Sequence, residues 1–408
     1  MKQKTIVLGG GITGLVSAYS AIKKDKDVFI YESKNRLGGM INTIQTKHGI
    51  VESAANGFIL TDEIKELFQS LSLDFIKTKR ESKRRFFYVN QKVKQLPVSL
   101  FKLLKSLYGL YFKESTPLPN ENFYHWSCRI FGETTTKRII EPALGGIYAA
   151  DLKSLDPRMI FGNLDWSQPS SFFQRFKKQR NKKSTLGLVS LKDGMGSLIQ
   201  ALETSLQSRA HIKLNSQAPV LEKLIKKYNS PEIHICFSLK QCEEYLKRNG
   251  YDLPEVNLLT VSTVTCFYTE RLLKKTGFGL LFPKNQDIEA NGVLFNSDIF
   301  EHRTFDHYSH SETWVYAGKK FDNLKEEELK KIQMNDRKMI HGRITSPLDS
   351  FVTQWQDGFP VYDEKLIAFN QRLDEIEAEW NKKNTKVIFK GNYRRGIGLR
   401  SLFEMAAR

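Results

Sequence analysis

The sequence predicts an α/β fold with α+β content overall, beginning with a Rossmann-like unit. Three observations predict it. A β-turn-α-β pattern fills the first 32 residues, residues from about 86 to 185 have a mostly helical pattern, and residues from about 240 to 355 contain β-rich runs. The 408 residues correspond to two or three domains at ~150 residues each.

The opening unit is justified element by element. Thr5–Leu8 is a short apolar strand candidate, Leu15–Lys23 carries small and apolar residues at helical spacing, and Val28–Tyr31 is a second strand, closed by Glu32. The turn between the first strand and the helix has the pattern G-x-G-x-x-G, formed by Gly9, Gly11, Ile12, Thr13 and Gly14. The order of these elements predicts a dinucleotide-binding site.

Each glycine of the turn has a physical reason. Gly9 permits the tight turn, Gly11 lets the backbone approach a pyrophosphate, and Gly14 lets helix and strand pack closely. The helix N-terminus offers N–H groups and a positive dipole end to phosphates. Glu32 can hold ribose hydroxyls. The alternative interpretation is a glycine-rich turn without a ligand.

The segment after Glu32 favours FAD over a nicotinamide cofactor. An arginine there can neutralise diphosphate charge, and a double glycine lets the backbone pass against a bulky cofactor. A nicotinamide enzyme has no evident need for this extension. The residues concerned are Glu32, Ser33, Arg36, Gly38, Gly39 and Met40.

The charge balance is strongly basic, with 63 Lys+Arg against 45 Asp+Glu and a formal net charge of +18. Such a surface favours anionic partners. No nucleic-acid-binding module is visible, so we expect no nucleic-acid partner. The four cysteines form no CxxC pair, which indicates a reducing compartment. His307 and His310 lack a matching ligand set, so we expect no metal.

Further motifs follow in a recognisable order along most of the chain. They are Glu32–Gly39 as E-x-x-x-R-x-G-G, then Glu52–Phe58, Glu141–Asp151, Leu191–Met195, Gly277–Pro283, Gly292–Ser297, Trp355 with Pro360 and Tyr362, and Gly391–Leu399. In this order the chain resembles the FAD-dependent amine oxidase-like flavoproteins, and within them the oxygen-dependent protoporphyrinogen oxidase family. The departures are Ala54 and Ala55 for Gly-Pro, Ala150 for glycine, a hairpin shortened within Val220–Leu239, and Asp363–Lys365 for Gly-His.

The resemblance implies an interleaved architecture. We expect FAD-binding segments at 1–80, 186–240 and 356–408, a helical substrate- and membrane-binding region at 81–185, and a substrate-binding sheet region at 241–355. Strands at Lys213–Val220 and Ile233–Phe237 and a buried strand at Val387–Phe389 are expected to return to the first domain.

The resemblance also implies site residues. Further FAD contacts are expected at Ala55, Asn56, Gly57, Phe58, Val220, Trp355, Gly391, Asn392, Gly396, Ile397, Gly398 and Leu399. Substrate contacts are expected at Arg85, Ala150, Leu281 and Phe295. A guanidinium suits a propionate, although Arg85 also lies in a basic turn, and Phe295 is equally compatible with core packing.

The implied activity is oxidation of a porphyrinogen, protoporphyrinogen IX or coproporphyrinogen III, in haem biosynthesis. Hydride would pass to flavin N5, and oxygen or another acceptor would reoxidise the flavin. We see no nucleophile triad or acid–base pair, and this chemistry needs none because the cofactor performs the redox step. Two alternatives stay open: an amine oxidase or carotenoid desaturase-like flavoenzyme, and a flavin-binding protein without turnover.

A membrane partner is expected through Val98–Phe112, which is apolar except for Lys102 and Lys105. The segment is too short and too charged to span a bilayer but suits the interface. A helix buried between domains is the alternative. The basic loop Arg175–Lys183 fits the same surface. With no signal-peptide pattern, we expect a cytoplasmic protein, peripheral on the cytoplasmic face of the membrane; the sequence leaves the oligomeric state open.

Overall fold

The fold is described from a computed structural model, which describes residues 2–148, 150–162, 164–180, 186–284, 287–306 and 309–407. The strands are β1 (Lys4–Leu8), β2 (Asp27–Tyr31), β3 (Thr43–Gln45), β4 (Ile50–Glu52), β5 (Phe58–Leu60), β6 (Phe75–Lys77), β7 (Arg85–Val89), β8 (Lys92–Lys94), β9 (Gly187–Leu191), β10 (Ala210–Lys213), β11 (Glu232–Ile235), β12 (Leu258–Tyr268), β13 (Gly279–Leu281), β14 (Gly292–Phe295), β15 (His310–Ala317), β16 (Asp349–Pro360) and β17 (Val387–Phe389).

The helices surround these strands. They are α1 (Ile12–Lys23), α2 (Asp62–Ser70), α3 (Leu100–Phe112), α4 (Phe123–Phe131), α5 (Glu133–Thr135), α6 (Glu141–Tyr148), α7 (Pro157–Ile160), α8 (Phe172–Arg180), α9 (Gly196–Gln207), α10 (Leu221–Tyr228), α11 (Leu239–Arg248), α12 (Asn296–Ile299), α13 (Glu326–His341), α14 (Glu364–Lys382), α15 (Asn392–Arg395) and α16 (Leu399–Ala406).

A parallel five-stranded sheet forms the first domain, in the order β10-β2-β1-β11-β17. Its strands come from three separate stretches of the chain. Alternation along β1 sends Ile6 and Leu8 to one face and Val7 to the other. Helices α1, α9 and α16 cover the Val7 face, and α10, α11 and α14 cover the opposite face. This doubly covered parallel sheet confirms the predicted α/β class.

A mixed seven-stranded sheet forms the second domain, in the order β16-β12-β15-β14-β13-β7-β8. One face packs on α13 through a core that includes Val264, Cys266, Trp314 and Tyr316. We call the other face the inner face, because Trp355 on it donates a hydrogen bond to the Ser53 carbonyl of the first domain. The inner face is therefore held against the dinucleotide domain.

Two local expectations differ from the structure. The range predicted to be helical from residue 81 contains strands β7 and β8 after a 3-10 turn that ends at Lys83, because β7 pairs in parallel with the sequence-distant β13. The strand expected up to Val220 ends at Lys213. Helix α10 follows instead, since Leu221, Leu224 and Tyr228 are buried at helical spacing.

Helix α3 has an unusual orientation. Its small residues face the protein: Ser106 Oγ lies 2.6 Å from the Phe131 carbonyl, and a Cβ on Gly109 would lie 1.8 Å from the Ile130 carbonyl. Its large apolar side chains point outward and are exposed: Leu100, Phe101, Leu104, Leu107, Tyr108, Tyr111 and Phe112. Within the described residues, no helix has the length and apolar character needed to cross a bilayer.

Candidate dinucleotide and substrate site

The turn between β1 and α1 is built as the glycine pattern predicts. Gly9 has φ +101°, and a Cβ on Gly14 would lie 1.9 Å from the Gly9 carbonyl oxygen, so close packing of strand and helix requires glycine there. Ile12 and Thr13 are buried in the first turn of α1. The helix N-terminus therefore lies at the carboxyl edge of the parallel sheet, where Rossmann folds bind phosphates.

Gly11 opens onto space in front of that N-terminus. It forms a parallel bridge with Gly38, and a Cβ on Gly11 would find no heavy atom nearer than the Gly39 Cα, at 3.9 Å. Two backbone segments without side chains thus lie against each other beside the α1 N-terminus, and we call this pair of segments the cradle. That a pyrophosphate binds at this cradle stays a prediction.

Arg36 lies beside the cradle but is turned onto its own loop. Its guanidinium donates to the backbone carbonyls of Leu37, Gly39 and Ile41, at 3.1, 2.9 and 3.4 Å. Arg36 therefore fixes the double-glycine segment against the cradle, and its contact with a diphosphate stays a prediction.

Glu32 ties the phosphate turn to the end of β2. One carboxylate oxygen accepts from the Gly10 amide at 2.7 Å, and the other accepts from the Lys34 amide at 2.8 Å and weakly from the Ser33 hydroxyl at 3.4 Å. Carboxylate oxygens accept more than one hydrogen bond, so these contacts leave Glu32 able to accept from ribose hydroxyls.

A cavity of about 300 Å³ lies next to Glu32. Its lining residues are Tyr31, Ser33, Ser216, Gln217, Ala218, Phe237, Gln241, Glu244, Tyr245 and Arg248. The Ser216 amide donates to the Glu32 carbonyl at 2.8 Å, which places the 216–218 segment beside the ribose-binding position. Val220 lies outside this lining and begins α10, so its predicted cofactor contact stays a prediction.

Met40 and Trp355 are brought together by Ser53. The Ser53 hydroxyl donates to the Met40 carbonyl at 2.7 Å, and the Trp355 indole donates to the Ser53 carbonyl at 2.8 Å. This contact joins the double-glycine segment, the loop at 53–57 and the inner face of the sheet. The three regions predicted to surround the flavin therefore meet at one place.

The loop at 53–57 is held tightly at its far end. A Cβ on Gly57 would lie 2.6 Å from the Val189 carbonyl oxygen, and Phe58 pairs with Val189 and is buried. Ala55 and Asn56 are half-buried at the domain boundary. The Asn56 amide nitrogen donates to Asn296 Oδ1 at 2.8 Å, which connects the loop to the end of β14.

The carboxyl-terminal motif ends in helix α16, whose N-cap is Gly398. A Cβ on Gly398 would meet nothing within 4 Å, and Gly396 has φ +119°. Phe403 of α16 packs in the same core as α1. Of the predicted cofactor residues in this motif, Gly391 and Asn392 begin α15, Leu399 begins α16, and the turn between the two helices contains Gly396, Ile397 and Gly398.

The predicted substrate residue Arg85 lies at the edge of the inner face. Strand register aligns Arg85, Gly279, Leu294, Thr313, Thr265 and Phe351 in one row across the sheet. A second row holds Phe87, Leu281, Gly292, Val315, Thr263 and Thr353. Arg85 is the one charged side chain of the first row, whereas the second row continues from Phe87 to Lys94 on β8. The Arg85 guanidinium stacks 4.6 Å from the Phe278 ring centroid.

Phe295 faces the opposite way from Arg85. Alternation along β14 puts Phe295 with Val293 in the core beneath the sheet, whereas Leu294 is half-buried on the inner face. The structure therefore places Phe295 in the core and Leu294 in the row with Arg85, and the substrate contact of Phe295 stays a prediction. The period of two in a strand was the signal that separates these neighbours in the sequence.

Ala150 lines a cavity of about 260 Å³ between α6 and the end of the second sheet. Lys284 contributes to this cavity and pairs with Asp151 at 2.6 Å and with Glu141 at 3.4 Å. This cavity borders the strand end that follows Leu281, so Ala150 and Leu281 lie at the same end of the sheet.

Sequence reasoning missed Arg303 and Asn296. Arg303 is 1% exposed, and its guanidinium donates to Asn56 Oδ1 at 3.3 Å. Burial lowers the pKa of Arg303 to about 10 and raises the pKa of the nearby Glu52 carboxyl. A buried arginine in a polar stretch carries no periodic signal in the sequence.

The described residues contain no group of three or more His, Cys, Asp or Glu side chains arranged to hold a metal. His307 lies outside the described residues, as do residues 181–183 of the predicted basic loop.

The geometry defines a class of protein: a Rossmann-like dinucleotide domain joined to a mixed sheet whose inner face contacts the loop at 53–57 through Trp355. A family model for the NAD(P)-binding Rossmann-like domain matches residues 7–71. Among solved structures, a protein from Exiguobacterium described as a candidate protoporphyrinogen oxidase has a TM-score of 0.75 at 17% identity, covering 100% of this chain and 97% of that one. A UDP-galactopyranose mutase has a TM-score of 0.72 at 12% identity, covering 99% and 94%.

Similar curated proteins belong to the class of enzyme that the motif order indicates. Protoporphyrinogen oxidase 2 of Arabidopsis thaliana is 23% identical, covering 97% of this chain and 91% of the relative. Coproporphyrinogen III oxidase of Bacillus subtilis is 21% identical, covering 98% and 95%. The predicted resemblance to protoporphyrinogen oxidases is confirmed, and the chain has the fold of FAD-dependent oxidoreductases.

Proposed function

We propose that this chain is an FAD-dependent oxidase that converts a porphyrinogen to the porphyrin in haem biosynthesis. One observation carries the proposal: Arg85 is the charged end of an otherwise neutral row on the inner face, and that face contacts the loop at 53–57 through Trp355. That pattern suits a flat apolar molecule with carboxylates at an edge. The near-full-length likeness to oxidases of two porphyrinogens supports the same substrate class.

The chain's own residues bind, orient and exclude water. Gly11, Gly39 and the α1 N-terminus would hold the cofactor diphosphate, Glu32 its ribose, and the α16 N-terminus would face the flavin ring, favouring negative charge there. Bound FAD supplies the hydride acceptor, and molecular oxygen is the proposed final oxidant. Arg85 would hold a propionate while the half-buried inner face keeps the reacting ring dry.

The proposal is tested by porphyrin formation. Purified FAD-loaded protein should generate porphyrin fluorescence from protoporphyrinogen or coproporphyrinogen in air, well above the rate without protein. Protein stripped of FAD should lose this activity and regain it on readdition. Oxidation of amines without any porphyrin formation would favour the amine oxidase alternative and contradict the proposal.

We further propose that the protein associates peripherally with a membrane through the outward face of α3. Leu104 and Tyr108 are 55% and 59% exposed, and Lys102 and Lys105 accompany them. An apolar helix face flanked by lysines suits an anionic bilayer interface. A cytoplasmic location on the inner membrane face is part of the same proposal.

The double variant Leu104→Glu with Tyr108→Glu should lose sedimentation with vesicles of phosphatidylcholine and phosphatidylglycerol, because two carboxylates replace inserted apolar groups. FAD content should be unchanged, since both side chains point away from the core. Met339→Glu with Ile344→Glu is the matched control, because Met339 and Ile344 are 45% and 63% exposed elsewhere on the surface. Equal sedimentation of both double variants would contradict the membrane proposal.

A further inference from the structure

Arg303 is a buried cation that the proposed cofactor and substrate contacts do not use. It lies in the turn after α12, and its guanidinium donates to Asn56 Oδ1, to the Leu191 carbonyl at 3.3 Å and to the Ser190 hydroxyl. The Ser190 hydroxyl in turn donates to the Asn56 carbonyl at 2.8 Å. Arg303 therefore contacts Asn56 both directly and through the Ser190 hydroxyl.

An arginine offers donors only, so it fixes the orientation of the Asn56 amide. With Oδ1 directed at Arg303, the Asn56 amide nitrogen is directed at Asn296 Oδ1, at 2.8 Å. The same logic then orients Asn296. Its amide nitrogen donates to the hydroxyls of Ser311 at 3.0 Å and Thr313 at 2.8 Å.

The hydrogen-bond chain ends on the inner face of the seven-stranded sheet. The hydroxyls of Thr313 and Thr265 lie 2.8 Å apart, and both residues stand in the row that begins with Arg85. Thr313 already accepts from Asn296, and one of the two threonine protons is used between the two hydroxyls. Thr265 is 1% exposed whereas Thr313 is half-buried, so the Thr313 hydroxyl is the member of the pair that can face a ligand.

We propose that Arg303 is a positioning residue for the oxidation: through Asn56 and Asn296 it orients the Thr313 hydroxyl toward a pyrrole nitrogen of the bound tetrapyrrole. This inference rests on the proposed function. Pyrrole N–H groups donate hydrogen bonds, and the nitrogens that lose protons during oxidation become acceptors. The Thr313 hydroxyl can serve both states, because it can donate to or accept from Thr265 and so can accept from or donate to the substrate.

The test compares Arg303→Met, Arg303→Lys and Thr313→Val with the wild type, using FAD-loaded protein and protoporphyrinogen. We expect Arg303→Met to lower kcat roughly 10- to 100-fold, which corresponds to losing one to two hydrogen bonds between oriented groups. KM should change far less. Arg303→Lys should recover part of kcat. Thr5→Val, which alters a buried threonine of β1, should leave kcat unchanged.

A double-mutant cycle separates positioning from general destabilisation. If Arg303 acts through Thr313, the kcat losses of Arg303→Met and Thr313→Val should not add in the double variant. If Arg303→Met fails to fold, the same cycle is run with Asn296→Asp, whose carboxylate cannot donate to Thr313.

The outcomes distinguish this inference from the proposed function. Wild-type protein that oxidises no porphyrinogen overturns both. An active wild type with unchanged kcat in the Arg303→Met and Thr313→Val variants, or with fully additive losses, overturns the positioning role alone.

Discussion

Gly11→Val is expected to fold normally and to be purified without the yellow colour of FAD. The substitution costs the protein little, because Gly11 has φ −70° and a Cβ there would find no heavy atom closer than 3.9 Å. The branched side chain would instead occupy the space in front of the α1 N-terminus, where the pyrophosphate is expected. Because the valine side chain would leave no room for the pyrophosphate, the loss of FAD should be nearly complete. Flavin absorbance per mole of protein measures this loss.

Two comparison variants make the result specific. Gly162→Ala replaces an exposed glycine whose Cβ would make ordinary contacts at 3.5 Å, so it should keep full FAD content. Gly14→Ala should fail to fold, since its Cβ would lie 1.9 Å from the Gly9 carbonyl oxygen. Thermal unfolding of Gly11→Val should be compared with the FAD-free wild type, because bound ligand raises apparent stability. Full flavin content in Gly11→Val would contradict the cradle assignment.

Arg85→Ala is expected to raise KM for the free-acid porphyrinogen by about 10- to 150-fold, corresponding to roughly 1.5–3 kcal/mol for a charge-assisted hydrogen bond. The propionate is remote from the reacting bridge, so kcat should change less than KM. Arg85 is exposed without substrate, so the size of the effect reports how far the tetrapyrrole covers the guanidinium. Arg85→Lys keeps the charge but loses the paired N–H donors of the guanidinium. Its KM should therefore lie between those of the wild type and Arg85→Ala.

The neighbouring Arg84 provides the control for Arg85. Arg84 donates to the Thr276 hydroxyl at 3.2 Å. Arg84→Ala removes the same charge from the same turn and should leave KM nearly unchanged, and the esterified substrate should be indifferent to either variant. A KM for Arg85→Ala equal to that of the wild type, with full FAD, would assign Arg85 to the solvated basic turn.

The first domain was predictable because its signals are local. The strand at Thr5–Leu8, the glycine turn and Glu32 are adjacent in sequence, and Val387–Phe389 is a buried apolar run of the kind that a parallel sheet requires. Helix α10 was also predictable from the helical spacing of its apolar residues, but we expected a shortened hairpin in this part of the chain.

The inner face of the second sheet depends on contacts that no local pattern contains. Strand β7 joins the sheet through parallel pairing with β13, nearly 200 residues away. That pairing decides which of Leu294 and Phe295 shares a face with Arg85. Arg303 and Asn296 meet Asn56 only because the two domains pack together, so their roles become visible in the structure alone.

Anaerobic reduction of bound flavin by substrate tests the central proposal most directly, because it removes oxygen and product release from the observation. FAD-loaded protein mixed with protoporphyrinogen or coproporphyrinogen should lose its flavin absorbance within catalytic turnover time, while a panel of primary and secondary amines should leave it unchanged. Bleaching by an amine, or stable oxidised flavin with both porphyrinogens, would contradict the account.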